Sequence, residues 1–164
     1  MHSDATVPHT PTGAGWQAEA ELERTTWHEL GSLVRSLTPA ECLVPGYYKD
    51  PDWSVRDVVA HIGTWLAYAE VQLERMRAGT YTGHGDVNVD ALNAEMLSAM
   101  RDQPWDVAWT QANSARTMML QDWYALSDNN AESVWWINKS GGEHYEEHLP
   151  RLRQWTTELI SRRT

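Results

Sequence analysis

The sequence predicts an all-α protein built as a four-helix bundle, and three observations lead there. Apolar residues recur at helical spacing in four long segments, no segment of any length alternates as a strand does, and the connections between the long segments are short except for one. The chain has 164 residues, enough for one domain with a core that needs neither disulfide nor metal to hold it.

Residues 1 to about 15 are rich in Thr, Pro, Gly and His without apolar periodicity and read as a disordered leader, which leaves 16–164 as the folded domain. The first long helix runs from Trp16 to Leu37, with Leu22, Leu30, Leu33, Val34 and Leu37 on its apolar side. Thr38, Pro39 and Glu41 have the spacing of a capping box with Pro at the first helical position, so a short helical turn follows over Ala40 to Leu43. Val44 to Asp52 reads as a loop. Ser54 and Asp57 give a second cap signal, and Val55, Val58, Val59, Ile62, Leu66, Ala69, Leu73 and Met76 carry a second long helix to Gly79.

A crossover follows, with a Gly-His-Gly-Asp loop and a short helix from Asp90 to Arg101. The third long helix spans Pro104 to about Leu126, with Trp109, Ala112, Met119, Trp123 and Leu126 on one stripe, and Ser127 to Asn130 turns the chain. Glu132 to Lys139 reads as a helical turn covering one end of the bundle. Ser140 and Glu143 give a third cap signal, and the fourth long helix runs from Gly141 to about Arg162 with Pro150 kinking it near 146–150.

Charge and composition narrow the partners. With 13 basic and 23 acidic residues the net charge is −10, which argues against a phosphate-tracking surface, so nucleic acid is not expected as a partner. No run approaches the length of a membrane span and no secretory signal is recognisable, so no membrane is expected and the protein reads as cytoplasmic. Cys42 is the single cysteine, which excludes a cysteine cage for zinc and leaves His and carboxylates as metal ligands; in its short capped turn it reads as a buried small residue. Ten Trp and no Phe, beside eleven Arg and two Lys, fit either a compositional bias or an indole-lined pocket.

The residues that could carry chemistry lie on the second and fourth long helices. His144 and His148 are four apart, one turn above the other, on the stripe continued by Leu152, Trp155 and Leu159. His61 sits in the row Val58, His61, Trp65, Tyr68. Parallel second and fourth helices bring His61 near the other two, and three imidazoles can hold a divalent ion with a position left open. The other reading is that these are core or surface histidines without a ligand. His84, between two glycines, is either a further ligand or a solvated loop residue. Glu147 can act as a base beside the metal or as a hydrogen-bond acceptor for a ligand histidine. Trp65, Trp109 and Tyr68 are placed as pocket walls. Arg116, on the inner stripe of the third long helix, either clamps a substrate carboxylate or pairs internally with an acid.

Three stretches together, Ser36-Leu37-Thr38-Pro39-x-Glu41, Trp53 to Ile62 (WSVRDVVAHI) and His144-Tyr145-Glu146-Glu147-His148-Leu149, resemble the DinB-like superfamily, over about Gln17 to Ile160. That superfamily includes the N-terminal domain of mycothiol-dependent maleylpyruvate isomerase. The resemblance implies a four-helix bundle with a long crossover between the second and third helices and a divalent ion, zinc or nickel, with His61, His144 and His148 as ligands. The maleylpyruvate isomerases have a carboxylate where this chain has His144, so the chain follows the three-histidine branch. Members assigned an activity include transferases of low-molecular-weight thiols such as mycothiol. The implied function is thiol transfer to a small electrophile, or isomerisation. A metal-dependent hydrolase for self-resistance or detoxification is an alternative, as is a non-catalytic protein that sequesters a small molecule. The resemblance also implies a homodimer, with Trp135 and Trp136 as a candidate interface patch.

Overall fold

The computed structural model describes residues 14–50, 52–85, 87–126 and 130–164. The expected leader falls outside them up to residue 13, as does the turn at 127–129. Six α-helices follow in order: α1 (Ala14–Arg35), α2 (Val55–Ala78), α3 (Val89–Met100), α4 (Trp105–Tyr124), α5 (Ala131–Ser140) and α6 (Gly142–Ser161). The four long ones form the bundle, α2 packed along α4 and α1 along α6. α3 lies in the crossover between α2 and α4, as the sequence predicts.

Local chemistry sets the helix ends. The backbone N–H of Thr38 donates to Glu41 Oε1 (3.1 Å) and that of Glu41 to Thr38 Oγ1 (3.2 Å), so the expected capping box closes ahead of the single 3-10 turn Glu41–Leu43. At the start of α2 the Asp57 carboxylate accepts from both the backbone N–H (2.8 Å) and the hydroxyl (2.9 Å) of Ser54. Gly79 ends α2 in the left-handed region at φ 75°, where a side chain would be strained.

Three expectations are corrected. A minimal antiparallel ladder, β1 (Tyr48–Lys49) and β2 (Asp52–Trp53), stands in the segment read as a loop. Each strand is two residues long, too short for alternation to register. The ambiguous tract after residue 130 is a ten-residue helix, α5, capped by Asn130 Oδ1 accepting from the Ser133 N–H at 2.8 Å. The Ser140–Glu143 cap does not form. Ser140 is the buried last residue of α5, and Gly141, whose N–H donates to the Ile137 carbonyl at 2.8 Å, joins α5 directly to α6. α6 continues through Pro150, whose ring leaves the Glu146 carbonyl without its amide partner.

The α5–α6 junction requires its two glycines. A Cβ on Gly141 would stand 2.5 Å from the Ile137 carbonyl oxygen, and one on Gly142 would stand 2.9 Å from Leu22 Cγ of α1. Because α1 presses this closely, α6 starts at a defined height and rotation, and His144 follows two residues later. The core is the expected one: Val58, Ile62, Leu66, Ala69 and Leu73 from α2 meet Ala112, Met119 and Trp123 from α4, and Leu149, Leu152, Trp155 and Leu159 from α6.

A candidate metal centre of three histidines

His61, two turns into α2, and His144 and His148, in the first turns of α6, converge as the helical spacing predicts. The Nε2 atoms of His61 and His144 stand 2.9 Å apart, and those of His148 and His144 3.2 Å apart. Ligand atoms of all three lie within 4.8 Å of one another. In the ring plane, Nε2 carries one proton or one lone pair, so His144 can make one good N–H···N bond, yet its Nε2 faces two partners. A shared cation resolves that conflict. Three nitrogens at about 2.0–2.1 Å from a tetrahedral ion stand about 3.3 Å apart, close to the separations seen here. The donor set therefore fits a divalent ion.

Electrostatics keep the rings able to serve as ligands. Burial, and secondarily the neighbouring imidazole, lowers the pKa of His61 to about 3; burial lowers that of His148 to about 4. His144 is pushed well below the ordinary value by burial first and by the other two rings next, with the Ser140 backbone partly offsetting this. At neutral pH all three are uncharged, with lone pairs available.

The short ladder supplies what surrounds the rings. Pairing Tyr48 with Trp53 lays both side chains beside the histidines. The Tyr48 hydroxyl is 3.2 Å from His148 Nδ1, and the Trp53 ring centroid is 5.3 Å from that of His61. With Nδ1–H donated to Tyr48, the lone pair of His148 Nε2 points at the other two rings, the arrangement that fixes a metal-binding tautomer. Tyr47 adds a hydrogen bond from its hydroxyl to the His148 carbonyl at 3.2 Å.

A cleft of about 370 Å³ opens over the three rings, walled by Trp53, Trp65 and Trp135, with Asn93, Lys139 and Glu147 as its other polar lining residues. That size suits a small ligand. Trp65 takes its expected place and donates its indole N–H to Asn93 Oδ1 at 2.7 Å, which ties the wall to α3. Glu147 lies on the rim, exposed.

The structure sets the other sequence-derived site residues elsewhere. Arg116 pairs internally: its Nε and a terminal nitrogen donate to both oxygens of Glu23, at 2.5 and 2.8 Å, and Tyr145 donates to the same carboxylate at 3.2 Å. Trp109 stacks between Trp27 and Trp105, at 5.9 Å from each, away from the cleft. Tyr68 packs on Trp65 and Trp136 and lines a neighbouring recess shared with His84. His84 does not join the three histidines; its Nδ1 lies 2.7 Å from Glu132, and its ring stacks on Trp135 at 4.1 Å. The Trp135–Trp136 pair is no exposed patch, since Trp136 is buried and Trp135 walls the cleft. Sequence reasoning missed Trp53, Trp135, Asn93 and Lys139. Trp53 stands one residue ahead of the α2 cap, which placed it near His61 in sequence. The other three depend on how α3 and α5 fold back.

No family profile and no curated protein matches the chain. No helix among the described residues is long and apolar enough to cross a membrane. Two solved structures share the fold. One is an uncharacterised protein from Escherichia coli UTI89, with a TM-score of 0.71 and 14% identity over 87% of this chain and 92% of that one. The other is the colibactin self-resistance protein ClbS, solved in complex with a double-stranded DNA, with a TM-score of 0.67 and 13% identity over 84% of this chain and 93% of that one. The second corrects the expectation that nucleic acid is excluded: a protein of this fold is found with duplex DNA, and an acidic total does not decide the matter because local charge, not the sum, governs a binding surface.

Proposed function

We propose that this is a DinB-like, metal-dependent enzyme that joins a low-molecular-weight thiol of the mycothiol type to a small electrophile. The observation that carries this reading is the convergence of three neutral Nε2 atoms at the floor of an indole-walled cleft. His61, His144 and His148 would hold zinc or nickel. The ion supplies Lewis acidity, which brings the pKa of a bound thiol toward neutrality. The chain's own residues do the rest. Trp53, Trp65 and Trp135 exclude water and press on the apolar part of the electrophile. Glu147 takes the thiol proton as sulfur bonds to the electrophilic carbon, and returns it to the atom that accepts the displaced electron pair.

A hydrolase for self-resistance or detoxification is a second reading, with water in place of the thiol. The exposed Glu147 carboxylate at the rim favours it, as does the fold shared with a self-resistance protein. The test is plasma mass spectrometry of untagged protein, followed by incubation of mycothiol with model electrophiles, with and without chelator. Near-stoichiometric metal and chelator-sensitive loss of thiol support transfer. Loss of electrophile without thiol supports hydrolysis. Saturable binding that ignores the chelator, with no product, leaves a sequestration protein. Because ClbS was solved with DNA, a duplex carrying an electrophilic base adduct belongs among the substrates tried.

A further inference from the structure

We infer that Lys139 recognises a carboxylate on the small molecule that enters the three-histidine cleft, an assignment that rests on the proposed function of that cleft. The sequence offered Arg116 for that role, but Arg116 is saturated by Glu23. The cleft still contains a cation. Lys139 occupies the last turn of α5, two residues before the Gly141 junction, and lines the cleft together with His144 of α6.

What singles out Lys139 is that it lines the cleft while no acid among the described residues pairs with it. Arg24, Arg56, Arg77, Arg116, Arg151, Arg153 and Arg163 each pair with an acid, and of the cations without such a pair among the described residues (Arg35, Lys49, Arg75, Arg101, Lys139 and Arg162) Lys139 is the one that lines the histidine cleft. Glu147 lines the same cleft with the opposite charge, and the two do not pair with each other. Opposite charges that face one cavity and leave a gap between them fit a ligand with an anionic end near Lys139 and a proton to give up near Glu147. Lys139 is exposed, so its ammonium meets an anion in solvent, where the attraction is open to screening by salt. Lys139 and His144 line the same cleft. A cation in the last turn of α5 complements the helix dipole as well, but that role does not discriminate between ligands.

The test uses paired probes that differ only in charge. Calorimetric affinities are measured for 3-mercaptopropionate against 3-mercaptopropionamide, and for crotonate against crotonamide, on cobalt-loaded and on metal-free protein. The expected result is a preference of about tenfold for the carboxylate, falling to near unity in Lys139→Gln, restored in Lys139→Arg and weakened by salt. The pair that shows the preference identifies whether the thiol or the electrophile carries the carboxylate. A ratio near one for both pairs in the unaltered protein, or one unmoved by Lys139→Gln, overturns the assignment. Failure to take up cobalt overturns the metal reading instead, since the metal-free arm still reports the preference for charge.

Discussion

Two polar clusters are buried in this bundle, and they are built on opposite rules. In the first, Glu23 of α1 receives Arg116 of α4 through two hydrogen bonds and Tyr145 of α6 through a third, with Trp27 facing the guanidinium at 5.2 Å. Unlike charges meet, every strong acceptor is used, and three helices are tied. In the second, adjacent to the first through the neighbours His144 and Tyr145, three identical neutral rings press their Nε2 atoms together beneath an open cleft. The first is complete without any added group, whereas the second is not. A satisfied buried cluster therefore reads as architecture, and an unsatisfied one beside a cleft reads as a site.

Breaking the first cluster should produce the largest effect on folding. Glu23→Ala leaves Arg116 unpaired in the interior and should cost about 3–5 kcal/mol in urea unfolding. The metal content of the fraction that stays folded should be unchanged, and a mild loss of stability would dissolve the contrast.

Breaking the second cluster should invert that pattern. His148→Ala removes one of three ligands, and bound metal measured by plasma mass spectrometry should fall at least ~100-fold, while the melting temperature of the metal-free protein moves little. Retained stoichiometric metal would mean that the ion, if any, sits elsewhere.

Acid should separate the clusters as well. An unfolded histidine titrates near its ordinary value of 6.5, whereas folded His148 and His61 wait until about pH 4 and 3. Between those limits the unfolded state binds more protons, so stability present above pH 6.5 is lost as pH falls toward 4. Urea midpoints of metal-free protein should show this decline, and His61→Gln should flatten it. Arg116 stays charged throughout that window: burial opposes its charge, but the hydrogen bond and charge of Glu23 outweigh it and hold the guanidinium above its already high value.

Smallest is the effect of the tyrosine behind the ligand. Tyr48→Phe removes the hydroxyl next to His148 Nδ1 and should weaken zinc binding about tenfold in competition with a chelating dye, with the fold intact. An unchanged affinity would show that packing alone orients His148.

How far the site was legible follows from which forces are local. The convergence of the three histidines was readable because helical periodicity puts His144 above His148 and the Ser54 cap sets the height of His61; each signal spans a few residues. Arg116 was recognised as a buried cation in need of a partner, but Glu23 lies 93 positions away and nothing in either segment names the other. Tyr48 and Trp53 belong to a ladder of two-residue strands that carries no period, and α5 stood at the length where a helix and a turn look alike in sequence.

By itself the sequence determined four amphipathic helices, the caps at Thr38 and Ser54, the long crossover and the faces on which three histidines stand, because helix formation and burial of an apolar stripe are settled by neighbours within one or two turns. Only the tertiary structure decided which cation is consumed and which is left facing the cleft, which indoles wall it, and that Ser140 ends one helix instead of starting the next. Those outcomes depend on close approach between segments far apart in the chain, as where α1 presses on Gly142 and admits no side chain there.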